Sequence, residues 1–124
     1  MPDVTKIGMN ALFRCVYLEE ICAPNVSTID ERAFAGFIML EKVTLGELTD
    51  VRGEANSGGG IFDDDNWTPY IDLYLPKNQE VMKGEFDENS NQYIWKPTGE
   101  KYFASPDYDN IFLGYQFMSV KKWE

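Results

Sequence analysis

Residues 26–45 read VSTIDERAFAGFIMLEKVTL, and they repeat much of the pattern of residues 4–23, VTKIGMNALFRCVYLEEICA. These two segments begin 22 residues apart, and a third copy begins at Leu48, again 22 residues later. The closing block of the third copy arrives 30 residues after that of the second, so this copy contains an insertion of eight residues. A period of about 20–29 residues with L-x-x-L-x-L spacing indicates coils that stack and share one core.

Apolar residues recur at two different spacings within each repeat. In the second copy, Leu40, Val43 and Leu45 match a short strand whose alternate side chains point inward. The apolar residues of 33–37 match a single helical or 3-10 turn, and Gly36 suits a tight exit from it. The predicted fold class is therefore α+β. The specific prediction is a short right-handed leucine-rich-repeat solenoid of parallel strands and helical or 3-10 turns, with a β-rich C-terminal cap.

The pattern changes after the third copy, which predicts two parts: three repeats in residues 1–78 and a cap in residues 79–124. Within the cap, Lys96-Pro97-Thr98-Gly99 has proline and glycine where a β-turn favours them. A β-hairpin of residues 92–95 and 100–103 is therefore predicted, packed on the open end of the solenoid. The many tyrosines and tryptophans of this segment also allow a separate carbohydrate-binding platform.

Composition excludes several classes of function. The chain has 124 residues, a net charge of −10 and no histidine. The acidic balance opposes binding to nucleic acid or to anionic lipid, because both require patches of lysine and arginine. Without histidine, a serine–histidine triad and a histidine-ligated zinc site are both excluded within this chain. No cofactor is predicted.

The repeat resembles a known family through the pattern Ile29-x₃-Ala33-Phe34-x₂-Phe37-x₂-Leu40-x₂-Val43-x-Leu45. It is similar to the leucine-rich repeats of the BspA-like surface proteins, and residues 73–78 and 114–120 are similar to the ends of such arrays. The resemblance implies a cell-surface or secreted bacterial protein that acts in adhesion or protein interaction. It implies no catalytic residues. The N-terminus of the chain carries no pattern of a secretory signal.

Candidate binding residues are the strand positions between the inward side chains, which face solvent on the concave sheet of such a fold. They form two predicted rows, Glu20–Lys42–Asp72 and Cys22–Thr44–Tyr74. One interpretation makes these rows the contact surface for a protein or glycan. The alternative makes the first row a cross-strand charge ladder, worth only about 0.2–1 kcal/mol per pair.

The insertion supplies the candidate metal ligands, Asp63 and Asp65, within the run Asp63-Asp64-Asp65-Asn66. Carboxylate oxygens are the ligands that calcium prefers, although this run lacks the spacing of a known calcium loop. The alternative is a solvated acidic loop. Paired carboxylates drawn from residues 63–65, Asp72 and Glu85 would suit glycoside hydrolysis. A three-repeat solenoid offers no deep cleft for this chemistry, so an enzyme is not predicted.

The two cysteines are predicted to lie on opposite faces, with Cys15 inward and Cys22 outward, and therefore not to form a disulfide. The open edge of the first repeat could pair with a second copy, giving a homodimer.

The sequence leaves two functions from different classes. The favoured one is a non-catalytic interaction or adhesion module with a protein or glycan partner. The alternative is a structural end-piece that caps a longer repeat array and has no ligand.

Overall fold

The structure is a computed structural model that describes residues 3–9, 17–34, 39–55, 57, 59–63, 68–104 and 110–123. The strands within these residues are β1 (Lys6–Ile7), β2 (Glu20–Ala23), β3 (Thr28–Ile29), β4 (Lys42–Leu45), β5 (Asp50–Arg52), β6 (Asp72–Pro76), β7 (Glu80–Asp87), β8 (Gln92–Lys101), β9 (Ile111–Phe112), β10 (Tyr115–Gln116) and β11 (Ser119–Trp123). Two 3-10 segments are also described, Thr68–Tyr70 and Tyr102–Ala104.

The first sheet has four parallel strands in the order β11-β6-β4-β2. Ile21 pairs with Val43, and Val43 pairs with Leu73, so equivalent positions of the three copies are direct neighbours. This register confirms the strand alignment predicted from the 22-residue spacing. The insertion in the third copy leaves the ladder unshifted, because it lies between β5 and β6 and not within a strand.

The second sheet has five strands in the order β1-β3-β5-β8-β7 and is mixed. Strands β1, β3 and β5 pair in parallel, again with partners 22 residues apart, as in Thr28 and Asp50. Strand β8 then pairs antiparallel with both β5 and β7. A separate two-stranded sheet of β9 and β10 completes the described strands.

One contiguous hydrophobic core contains the inward side chains of both large sheets, such as Ile29 and Val51 from one and Val43 and Leu73 from the other. An aromatic cluster at its centre is formed by Phe34, Phe62, Tyr115 and Phe117. The side chain of Gln79 is polar and fully buried. Its amide accepts a hydrogen bond from the Leu48 amide at 2.7 Å and donates to the Leu48 carbonyl at 3.3 Å. The start of the C-terminal segment is thereby tied to the third copy.

The predicted α+β leucine-rich-repeat solenoid with helical turns and a C-terminal cap is wrong. The described residues form a mixed-sheet domain with several sheets and almost no helix. At the predicted helical turn, Ala33 and Phe34 adopt a non-helical turn. The Phe34 amide donates to the Ile61 carbonyl at 2.8 Å, which is a contact between coils and not within a helix. The remaining positions of this turn, and the equivalent turn of the first copy at residues 11–15, lie outside the described residues.

The C-terminal segment adds strands to both large sheets, because β8 pairs with β5 and β11 pairs with β6. The predicted hairpin within this segment is wrong in its position. The hairpin turn lies at residues 88–91 between β7 and β8, and residues 96–99 continue strand β8. The side chain of Asp87 forms this turn by accepting hydrogen bonds from the Asn89 amide and the Ser90 hydroxyl.

Candidate functional site

The exposed side of the four-stranded sheet brings the two predicted rows together. Glu20, Lys42 and Asp72 are successive cross-strand partners, and so are Cys22, Thr44 and Tyr74. Both rows lie on one side because their residues alternate with the buried residues of each strand. We call this surface the parallel face; with the residues of β11 it consists of Glu20, Cys22, Lys42, Thr44, Asp72, Tyr74, Ser119, Lys121 and Trp123.

Thr44 departs from the prediction of a solvent-facing side chain. Only 9% of its surface is exposed, because it lies at the centre of the sheet between Cys22 and Tyr74. Cys22 itself is exposed, as predicted for this row. Cys15 lies outside the described residues, so the prediction about the Cys15–Cys22 pair stays a prediction. The accessible part of the second row is therefore Cys22 and Tyr74.

Strand β11 extends both rows with residues that the sequence analysis did not include. Ser119 pairs with Asp72, Lys121 pairs with Tyr74, and Trp123 pairs with Pro76. The sequence signals for this strand are the similarity of residues 114–120 to the end of BspA-like arrays and the alternation of Ser119, Val120 and Lys121. The consecutive lysines at 121 and 122 interrupt that alternation, so the signal is short and weak.

The charges of the first row do not form the ladder considered above. Among the residues that the structure describes, Lys42 makes no ion pair with Glu20 or Asp72. The Lys42 Nζ instead lies over the ring of Tyr74, 5.0 Å from its centroid. Asp72 accepts a hydrogen bond of 2.5 Å from the Ser119 hydroxyl. The cation–π contact is worth about 0.5–1 kcal/mol at an exposed site, so it competes well with a surface ion pair.

Two aromatic side chains stand on the parallel face, and both are held in place. Tyr74 is half-buried, and besides Lys42 it carries Lys121, whose Nζ lies 6.0 Å from the ring centroid. The indole of Trp123 donates a hydrogen bond of 2.8 Å to the Leu45 carbonyl. A fixed aromatic side chain loses little conformational entropy on binding, so Tyr74 and Trp123 suit the role of anchors for a partner.

The candidate metal ligand Asp63 is a buried carboxylate held by hydrogen bonds within the protein. Its side chain is 4% exposed and accepts hydrogen bonds from the Tyr115 hydroxyl at 2.6 Å and the Gly60 amide at 2.9 Å. A Cβ at Gly60 would collide with the Tyr115 hydroxyl, so only glycine fits beside this pair. Asp65 lies outside the described residues. Within the described part of the chain, no group of three or more acidic or cysteine side chains could hold a metal ion.

The carboxylates considered for glycoside hydrolysis are separated in the structure. Asp63 is buried beside Tyr115, Asp72 lies on the four-stranded sheet, and Glu85 lies on β7 of the five-stranded sheet. Asp64 and Asp65 lie outside the described residues. The described carboxylates therefore do not form a pair across a shared cleft, which this chemistry requires.

A second polar cluster lies on the exposed side of the five-stranded sheet. Asp50 forms ion pairs with Arg52 at 2.8 Å and with Lys96, its neighbour on β8, at 3.1 Å. Arg52 also donates a hydrogen bond to Gln92 at 2.5 Å. The hydrogen bond from Arg52, assisted by Lys96 and opposed by partial burial, lowers the pKa of Asp50 below its ordinary value of 3.8. Every charged group of this cluster takes part in an ion pair, whereas Lys42 and Lys121 of the parallel face make none within the described residues.

The lowered pKa of Asp50 predicts how the stability of the protein depends on pH. Because the pKa is lower in the folded state, Asp50 stabilises the fold at neutral pH, and the contribution is lost as the pH falls below 3.8 through the folded-state value. We expect Asp50→Asn to be less stable than the wild type at neutral pH, with the difference vanishing in strong acid. Urea unfolding across this range measures it. An undiminished difference in an Arg52→Gln background would contradict the assigned cause.

No family model, curated protein or solved structure matches this chain. The resemblance to BspA-like surface proteins therefore stays a prediction that rests on the quoted residues. None of the described helical segments is long and apolar enough to cross a membrane.

Proposed function

We propose that this protein is a non-catalytic interaction module that binds a protein or glycan partner through the parallel face. A location at the cell surface is part of this proposal and is supported only by the family resemblance. The observation that carries the proposal is the arrangement around Tyr74, a fixed aromatic side chain with two lysines over its ring. Tyrosine and tryptophan are enriched among the residues that dominate binding energy at interfaces.

The size of the parallel face indicates what it can bind. Four strands about 4.8 Å apart span about 15 Å, and four or five residues along each strand span about 13–17 Å. The resulting area of roughly 200–250 Å² is well below the roughly 800 Å² that each partner contributes to a standard protein interface. The face alone therefore suits a short peptide segment or a few sugar units, or one part of a larger contact.

Removing the central aromatic side chain tests this function. We expect peptide and glycan arrays to identify a ligand of the wild-type protein whose binding falls about tenfold or more in Tyr74→Ala, since such an anchor contributes on the order of 2 kcal/mol. The matched control is Phe86→Ala, because Phe86 is an exposed aromatic side chain on the other large sheet. Circular dichroism should show both variants folded. Ligands that bind wild type and Tyr74→Ala equally would contradict the proposal.

One observation favours the alternative of a structural end-piece. The segment after residue 78 adds a strand to each large sheet, and it covers β5 and β6, which would otherwise be sheet edges. If terminating a sheet were the whole function, Lys42→Ala and Tyr74→Ala would leave every activity of a longer parent protein unchanged. Loss of binding in these folded variants would instead support the interaction module.

A further inference from the structure

The positive charge of this acidic protein is unevenly paired. On the five-stranded sheet, Arg52, Lys96 and Lys101 each form an ion pair with a carboxylate. The lysines of the four-stranded sheet do not: in the described part of the chain, Lys42 and Lys121 make no ion pair. Lys77 and Lys122, at the carboxyl ends of β6 and β11, are exposed and also make none. Lys6 and Lys83 of the five-stranded sheet are also exposed and make no ion pair, so the lysines without an ion pair in the described residues are four on and beside the parallel face and two on the other large sheet.

Two of these lysines converge on one aromatic ring. Lys42 reaches Tyr74 from β4 and Lys121 reaches it from β11, so the ring on β6 lies between two ammonium groups. Like charges held near one ring repel each other, and an anion bound beside either ammonium group relieves that repulsion. Glu20 and Asp72 flank Lys42 without pairing with it, and Asp72 is engaged by Ser119. The hydroxyl of Ser119 leaves the negative charge of Asp72 in place, so the formal charges of Glu20, Lys42, Asp72 and Lys121 sum to zero, and the two positive charges meet only beside Tyr74.

The same arrangement disfavours a stacked sugar. A sugar that stacks on tyrosine needs an open ring face, whereas the ammonium groups of Lys42 and Lys121 already lie over this ring. A carboxylate needs no ring face, because it can accept hydrogen bonds from both ammonium groups and from the phenol. Two residues further along β6, Pro76 and its partner Trp123 present an apolar surface.

We propose that Lys42, Lys121 and Tyr74 bind the carboxylate of an acidic peptide segment that lies extended along β6. This inference rests on the proposed function. The apolar surface of Pro76 and Trp123 then receives a side chain two residues from the acidic one, because alternate residues of an extended chain are about 6.4–6.8 Å apart and share a face. The recognised pattern is an aspartate or glutamate, any residue, and an apolar residue.

Titration with short peptides tests this assignment. The probe is a fluorescently labelled, end-blocked peptide of sequence GSETLSG, and the matched peptide is GSQTLSG, which lacks the carboxylate. We expect the glutamate peptide to bind more tightly than the glutamine peptide, and we expect the difference to shrink with added salt. Lys42→Gln and Lys121→Gln should each weaken binding of the glutamate peptide by about fivefold. The charge-matched control Lys83→Gln, at an exposed lysine on β7, should bind like the wild type.

Several outcomes would overturn the assignment. Equal affinity for the two peptides would show that the carboxylate does not contribute to binding. An equal loss of affinity in Lys83→Gln would show only a general charge effect. Binding of an acidic polysaccharide such as polygalacturonate, sensitive to Lys42→Gln and without peptide binding, would identify a glycan in place of a peptide. If a neutral ligand binds and depends on Tyr74 but not on the lysines, the proposed function stands and this inference fails. If no ligand depends on Tyr74, the proposed function fails as well.

Discussion

Replacement of Phe62 by alanine is expected to lower the free energy of unfolding by about 3–5 kcal/mol. Phe62 is 1% exposed and lies at the centre of the aromatic cluster. Its ring stacks on Phe34 at a centroid distance of 5.2 Å and meets the edges of Tyr115 and Phe117, each at 5.5 Å. Removing it leaves a cavity that three other rings line, and rigid rings close a cavity poorly. So large a loss is a substantial fraction of the stability of a small domain.

Urea unfolding of the wild type and of Phe62→Ala measures this loss. The matched control is Phe86→Ala, which removes the same atoms from a side chain that is 56% exposed. An exposed substitution of this kind should change the free energy of unfolding by no more than about 0.5 kcal/mol. Similar losses in the two variants would show that Phe62 does not lie in the core.

Replacement of Asp63 by alanine is the second large effect, with an expected loss of about 2–5 kcal/mol. The substitution removes hydrogen bonds to a buried carboxylate and leaves the Gly60 amide and the Tyr115 hydroxyl without this acceptor. The Phe62 amide also donates to the Tyr115 hydroxyl, at 3.2 Å, so one phenol connects two neighbouring residues of the insertion. Loss of Asp63 should therefore loosen the loop that supports Phe62.

A double-mutant cycle with Tyr115→Phe isolates the Asp63–Tyr115 contact, because phenylalanine keeps the ring and removes only the hydroxyl. We expect Tyr115→Phe to cost about 1.5–3 kcal/mol alone and much less in the Asp63→Ala background. Unfolding in the presence of calcium distinguishes this structural role from the metal site that the sequence analysis considered. A rise in the unfolding midpoint on addition of calcium, present in the wild type and absent in Asp63→Ala, would contradict the structural role.

The strand register could be predicted from the sequence, and the turns could not. Ile21, Val43 and Leu73 occupy the same place in the apolar pattern of their copies, and they are neighbours in the ladder as this pattern predicts, although the insertion places Leu73 30 residues after Val43. The turn at Ala33 and Phe34 has too few residues to overcome the cost of helix nucleation. Its conformation follows from the bond between the Phe34 amide and the Ile61 carbonyl, and that contact depends on the inserted segment.

The C-terminal strands illustrate a conflict between local signals. Pro97 and Gly99 are typical of a turn, yet β8 runs through both. The pairing of β5 with β8 covers only Ile94 and Trp95, so Pro97 lies beyond β5, where its missing amide hydrogen costs no bond to that strand. The true turn, closed by the side chain of Asp87, carries an equally ordinary turn composition. Residues 96–99 and 88–91 both have the composition of a turn, and pairing with distant strands determines which of the two segments turns.

For the candidate site, alternation along the strands predicted which residues share the parallel face but not how their side chains pair. Lys42 could contact Glu20, Asp72 or Tyr74, and cross-strand position alone favours the two carboxylates. The structure places Lys42 over Tyr74, on the diagonal of the ladder. Lys121, on the other side of Tyr74, was missed because β11 has only a weak signal in the sequence.

The backbone amide of Val120, on the outermost strand β11, donates to the side chain of Asn110 at 3.1 Å. This donor is no longer available to the strand of an incoming molecule, so one of the hydrogen bonds that an intermolecular sheet would form along β11 is already used within the chain.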